Sequence, residues 1–121
     1  MTLTSKKCLN SRQINALKEI KTRIISNYDI TKIILYGSIV WGNYDSEESA
    51  VNLLILTTSK LSRRKRHGIT NIIFEENLKN NTNFSGRVIS YENWQKDSVP
   101  LLMDKELVEK KGILVYEDEC N

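Results

Sequence analysis

Two short apolar runs, separated by a segment that contains glycine and serine, constrain the fold of this 121-residue chain more than any other feature. The first run, Ile33-Ile34-Leu35, continues into Tyr36-Gly37-Ser38, and the second extends from Val51 to Leu56. Continuous β-branched runs are typical of strands that are buried on both faces. A glycine lets the backbone approach a ligand closely, and a helix that starts after it favours an anion. The layout therefore predicts two buried strands joined through a turn that can bind phosphate.

The rest of the pattern predicts helices that cover this sheet. Asn10 and Gln13 are typical of a capping box, and apolar residues at helical spacing predict a helix over residues 11–28. A second helix is predicted over 62–80, weakened at Gly68 and with Ile69, Ile72, Ile73 and Phe74 facing inward. The other predicted elements are strands at 31–36, 51–57, 84–90 and 113–116, a short helix or turn at 38–42, a helical turn at 91–96 with Trp94 inward, and a helix over 100–111. The order predicts an α/β (α+β) fold, a small mixed β-sheet flanked by helices.

The segment from Gly37 onward resembles the DNA polymerase beta-like nucleotidyltransferase superfamily, in particular its minimal nucleotidyltransferases. In that family Gly-Ser is followed by a spacer and then by Asp-x-Asp at the head of the next strand. Gly37, Ser38 and Gly42 match the family pattern, and Glu47-Glu48-Ser49 matches its acidic approach to the metal site. The resemblance covers about residues 11–117 of one predicted domain (1–121). It implies a nucleotidyltransferase fold that binds a nucleotide through Gly37, Ser38 and Gly42.

The match fails at the two positions where the family has its metal-binding aspartates, which are Ala50 and Asn52 here. Nucleotidyl transfer uses Mg²⁺ held by carboxylates, and Mg²⁺ prefers anionic oxygen ligands. Ala50 supplies no ligand, and Asn52 supplies only a neutral amide oxygen. The resemblance implies Mg²⁺ and ATP as ligands, whereas these two residues predict weak metal binding and little catalysis. A deliberately disabled enzyme and a naturally decayed one would share this sequence.

Other residues near this segment have competing interpretations. Many relatives place a third carboxylate on the strand that here spans residues 86–90, where this chain has Arg87 and no acid. Arg87 either faces the site and partly replaces the metal charge against a phosphate, or points to solvent. The acids that precede Ala50 either form an alternative metal cluster or are solvated in a turn; they are Asp45, Glu47 and Glu48.

Composition places limits on the class of protein. Hydrophobic residues make up 40% and charged residues 27%, as in an ordinary soluble domain. The chain has no apolar stretch of about 20 residues and no signal-peptide core, so we expect a cytoplasmic protein. Cys8 and Cys120 have neither a metal-binding nor a disulfide spacing, which favours free thiols. His67 has no second zinc ligand near it in the sequence, so we expect it to be a surface residue.

The resemblance also implies a partner. Such domains often act as the antitoxin of a HEPN-type ribonuclease toxin, and active relatives transfer AMP from ATP to a protein. We therefore expect either a homodimer or a complex with a toxin-like protein, through Trp41, Trp94 and the basic run Arg63–His67. The basic run could instead be a solvated helix start, or bind nucleotide phosphate or RNA, and Trp41 could stack on a base or pack against its own helix. The leading hypothesis is an antitoxin-type domain with a disabled metal site; the alternatives are a non-catalytic pseudo-nucleotidyltransferase that regulates a partner, and a small RNA-binding domain.

Overall fold

Four strands form one mixed β-sheet in the computed structural model, which describes residues 9–37, 51–96 and 105–118. They are β1 (Ile30–Tyr36), β2 (Val51–Thr57), β3 (Phe84–Ser90) and β4 (Ile113–Glu117), in the order β3-β2-β1-β4. β1 is antiparallel to β2 and to β4, whereas β2 and β3 are parallel. The predicted fold class, a small mixed sheet flanked by helices, is confirmed. The predicted helix or turn at 38–42 lies outside the described residues.

Two long helices cover one face of the sheet. Helix α1 (Ser11–Asn27) begins at the predicted capping box, in which the backbone N–H groups of Asn10 and Gln13 each donate to the other's side chain at 2.8 Å. Helix α2 (Arg63–Asn80) begins after Ser62, whose hydroxyl accepts a hydrogen bond from the Lys65 N–H. Gly68 does not delay the start of α2. The larger apolar core lies between these helices and the sheet, and it includes Leu17, Ile20, Ile24, Ile33, Leu35, Leu53, Ile55, Ile69 and Ile73.

One prediction about the inward face of α2 is wrong. Phe74 is 60% exposed, and the buried residues of α2 are Ile69, Ile72, Ile73 and Glu76. These four positions follow helical spacing, and Phe74 lies a further 100° around the helix from Ile73. The buried carboxylate of Glu76 is tolerated because Arg23 of α1 donates to it at 3.1 Å. An ion pair therefore occupies part of the contact between α1 and α2.

Two short helices cover part of the opposite face. They are α3 (Tyr91–Gln95) and α4 (Lys105–Lys111), and a smaller core of Ile34, Leu54, Leu56, Trp94 and Val108 lies beneath them. Trp94 is only 2% exposed, and its indole N–H donates to the Glu109 carboxylate at 3.0 Å. The predicted inward packing of Trp94 is confirmed, and its predicted role in a contact surface is wrong. No helix within the three described ranges is long and apolar enough to cross a membrane.

Candidate functional site

Gly37 follows β1 directly and brings the backbone against the start of β2. Its φ is +111°, a conformation that side chains rarely allow. A β carbon at this position would lie 2.6 Å from the Nδ2 atom of Asn52. The structure therefore brings together the family-type glycine and one of the two positions expected to bind metal. Four predicted site-region residues, Ser38, Trp41, Gly42 and Ala50, lie outside the described residues, as do the acids Asp45, Glu47 and Glu48.

A row of polar side chains crosses three strands at this edge of the sheet. Tyr36 of β1 pairs with Asn52 of β2, and Asn52 pairs with Ser85 of β3. Side chains alternate along a strand, so all three project from the face that carries the smaller core. Tyr36 packs against that core. We call Tyr36, Asn52 and Ser85 the Asn52 row.

Arg87 lies next to the Asn52 row on the same face. It is two residues beyond Ser85 on β3 and pairs with Leu54 of β2. The side chain is exposed, as one of the two interpretations of Arg87 predicted. It nevertheless shares a face with Asn52, as the other interpretation required.

The side chains of Tyr36 and Arg87 interact across the sheet. Burial raises the pKa of the Tyr36 hydroxyl above its ordinary value, and the charge and side-chain hydrogen bonding of Arg87 oppose that shift. Tyr36 and Arg87 stand on strands separated by β2, so the two strands lie about 9–10 Å apart, and Arg87 is two residues farther along β3 than Ser85. The guanidinium must therefore extend over β2 toward Tyr36. At neutral pH the Tyr36 hydroxyl is uncharged and can donate a hydrogen bond.

The described residues of this edge do not fit a magnesium ion. Strands β1, β2 and β3 contain no aspartate or glutamate. Asn52 is neutral, and Arg87 is positively charged. Within the described ranges, no group of three or more His, Cys, Asp or Glu residues could hold a metal. The residues instead present hydrogen-bond donors, which suits an anion.

The basic run Arg63–His67 occupies the first turns of α2, at the other end of the sheet. α2 follows the carboxyl end of β2, whereas Asn52 lies near the amino end of that strand. Arg63, Arg64, Lys65 and His67 are exposed, and Arg66 donates to the Leu61 carbonyl at 2.8 Å. The exposed position predicted for His67 is confirmed. The structure does not bring the basic run to the Asn52 row.

Comparison with known proteins identifies the fold. No family model and no curated protein sequence matches the chain. The crystal structure of a "putative nucleotidyltransferase" from Sulfolobus solfataricus matches it with a TM-score of 0.59 at 18% sequence identity, covering 98% of this chain and 96% of that chain. The chain has a nucleotidyltransferase-like fold. This similarity confirms the fold that the resemblance implied. A sequence identity of 18% supports a shared fold but not a shared activity.

The sequence did not point to two residues of the candidate site in this nucleotidyltransferase-like fold, Tyr36 and Ser85. Neither belongs to the motif that predicted the site. Their positions follow from strand register, which pairs both of them with Asn52. The position of Tyr36 immediately before Gly37 was the one available signal, because a residue at the end of a strand lies beside the turn that follows it.

Proposed function

We propose that this nucleotidyltransferase-like domain binds the phosphates of a nucleotide, with ATP as the expected ligand, and catalyses little or no nucleotidyl transfer. The observation that supports it is the approach of Gly37, at φ +111°, to Asn52 at the edge of the sheet. With no side chain on Gly37, the Asn52 amide can lie against the backbone there, and the phosphate would bind beside them. Ser38 and Gly42 would complete this binding segment.

The proposed lack of catalysis rests on charge. Two-metal nucleotidyl transfer needs carboxylates that hold Mg²⁺ against the attacking and leaving oxygens. Ala50 and Asn52 provide no negative charge, and neither does any residue of β1, β2 or β3. Arg87 would also repel a cation on this face. The site would therefore bind a nucleotide but would not support metal-dependent transfer.

Restoring the two carboxylates tests this assignment. We expect Ala50→Asp with Asn52→Asp to create a magnesium site, because Mg²⁺ prefers anionic oxygen ligands. Calorimetric titration with Mg²⁺, alone and with ATP, should give clear binding heat in the double variant and much less in the parent chain. A charge-matched control is Ser59→Asp with Asn71→Asp, since both residues are exposed, Ser59 follows the opposite end of β2, and Asn71 lies on α2 over the other face of the sheet. Equal magnesium binding by parent and double variant would refute the assignment of positions 50 and 52.

A second candidate function is the binding of a protein partner, and exposed apolar residues on α2 favour it. Phe74 is 60% exposed and Leu78 is 70% exposed. Residues four apart are neighbours on a helix surface, so these two side chains form one patch. The basic run Arg63–His67 begins the same helix and could extend the contact to an acidic partner. We propose either a second copy of the chain or a HEPN-type toxin, as the resemblance implies.

We expect Phe74→Ser with Leu78→Ser to abolish this complex without unfolding the domain, because both side chains are exposed. Light scattering would give the oligomeric state, and co-purification with the product of the neighbouring gene would detect a toxin-like partner. The matched control is Lys18→Ser with Thr22→Ser on α1, which changes two exposed polar residues at the same spacing. A stable complex should bury at least about 1,000 Å². A monomer that retains no partner would refute this function, and retention of RNA that is lost at high salt would favour RNA binding through the basic run.

A further inference from the structure

The face of the sheet that carries the Asn52 row has the positively charged Arg87 where a metal-dependent nucleotidyltransferase would need negatively charged carboxylates. Arg87 pairs with Leu54, and Leu54 lies two residues beyond Asn52 on β2. Its guanidinium extends across β2 toward Tyr36, so it passes over the strand that carries Asn52. This places a permanent cation beside the position expected to bind metal.

No carboxylate among the described residues neutralises this cation. The ion pairs within the described ranges join Arg23, Lys32, Lys96 and Lys110 to glutamates, and none of them includes Arg87. Strand β2, which is the neighbour of β3 in the sheet, contains no acid, and neither does β1 on its far side. Arg87 is exposed and can contact a ligand from solvent.

The neighbours of Arg87 add hydrogen-bond donors. The neutral Tyr36 hydroxyl can donate, and the Asn52 amide nitrogen lies beside the Gly37 backbone. A guanidinium presents a planar set of N–H groups that matches two oxygens of a phosphate. Donors of this kind bind the phosphate oxygens that Mg²⁺ would otherwise coordinate. A free phosphate chain therefore fits this surface better than one already chelated by magnesium.

We infer that Arg87 holds the phosphates of a nucleotide in the place of a metal ion, so that this chain binds a nucleoside triphosphate without Mg²⁺. This inference rests on the proposed nucleotide-binding function and names its ligand, the metal-free polyphosphate. Arg87 is then a binding residue. Its side chain supplies the positive charge that a metal ion supplies in metal-dependent nucleotidyltransferases.

The test is a titration of the full chain with ATP, and separately with inorganic tripolyphosphate, in EDTA and in excess Mg²⁺. The parent should bind both ligands in EDTA, with equal or weaker binding in magnesium. Arg87→Ala should weaken binding in EDTA by about tenfold to hundredfold, because it removes hydrogen bonds to a charged group. Arg87→Lys keeps the charge but loses the planar fork, so its affinity should be intermediate. Arg12→Ala, an exposed arginine on α1, which covers the opposite face of the sheet, is the matched control and should not change affinity.

The outcomes separate this inference from the function on which it rests. Binding that requires Mg²⁺, or binding that Arg87→Ala leaves unchanged, would overturn the role of Arg87 and leave the nucleotide site standing. Failure of the parent and of the Ala50→Asp, Asn52→Asp variant to bind ATP in either buffer would overturn the proposed function itself. Circular dichroism of each variant confirms that a lost affinity does not reflect unfolding.

Discussion

Replacing Trp94 with alanine is expected to lower the free energy of unfolding by about 3–5 kcal/mol. Trp94 is 2% exposed and packs with Ile34, Leu54, Leu56 and Val108 beneath α3 and α4. Its removal leaves a large cavity in the smaller of the two cores. Small domains have little stability in reserve, so the variant should melt at a clearly lower temperature. Urea unfolding followed by circular dichroism measures the loss.

Trp94→Phe is the matched control for this prediction. It keeps most of the aromatic volume but removes the indole N–H that donates to Glu109 at 3.0 Å. Glu109 is exposed and can bind water instead, so the lost hydrogen bond should cost only about 1 kcal/mol. A small loss for alanine together with an equal loss for phenylalanine would show that Trp94 does not fill the core in solution.

The elements of this fold were predictable where local chemistry determines them. Asn10 and Gln13 satisfy each other's backbone N–H groups whatever the rest of the chain does, so the start of α1 followed from sequence. The apolar run of β2 predicted a strand buried on both faces, and its residues do contribute to both cores. The order of elements then left few arrangements other than a mixed sheet with helices on it.

The inward face of α2 was less predictable, because burial there depends on a long-range ion pair. The apolar pattern favoured Phe74 as a buried residue. The structure instead exposes Phe74 and buries Glu76, which Arg23 of α1 meets inside the contact between the helices. A pattern of apolar residues along one helix does not predict which charged residue of another helix will pair with a buried carboxylate.

The site was predictable in part. The Gly-Ser segment located the turn, and the resemblance to the family pointed to Asn52 as a site position on the next strand. The contribution of Tyr36 and the direction of Arg87 depend on strand register, which a single sequence does not fix. The sequence also left two roles open for Trp94, because a tryptophan just after β3 could either pack in the core or form part of a contact surface.

Substituting Gly37 with alanine should disturb both stability and the candidate site. At φ +111° a side chain strains the backbone by about 1–3 kcal/mol. The new methyl group would also meet the Asn52 amide, whose Nδ2 lies 2.6 Å from the β carbon position. The Asn52 side chain must then rotate away from the edge, so we expect weaker ATP binding as well as easier unfolding. Urea unfolding and an ATP titration measure the two effects.

A double-mutant cycle with Asn52→Ala separates strain from contact. In the Asn52→Ala background the amide is gone, so Gly37→Ala should cost only the backbone strain. The two substitutions should therefore deviate from additivity by at least about 0.5 kcal/mol, as expected for residues in contact. Gly86→Ala is the control glycine in the same sheet: its β carbon would meet the flexible end of Ile73, on the other side from Asn52, and should show no coupling to Asn52→Ala. Full additivity of Gly37→Ala with Asn52→Ala would mean that the two residues do not meet in solution. The register that places Asn52 in the nucleotide site would then be wrong, and with it the proposal that this edge of the sheet binds phosphate.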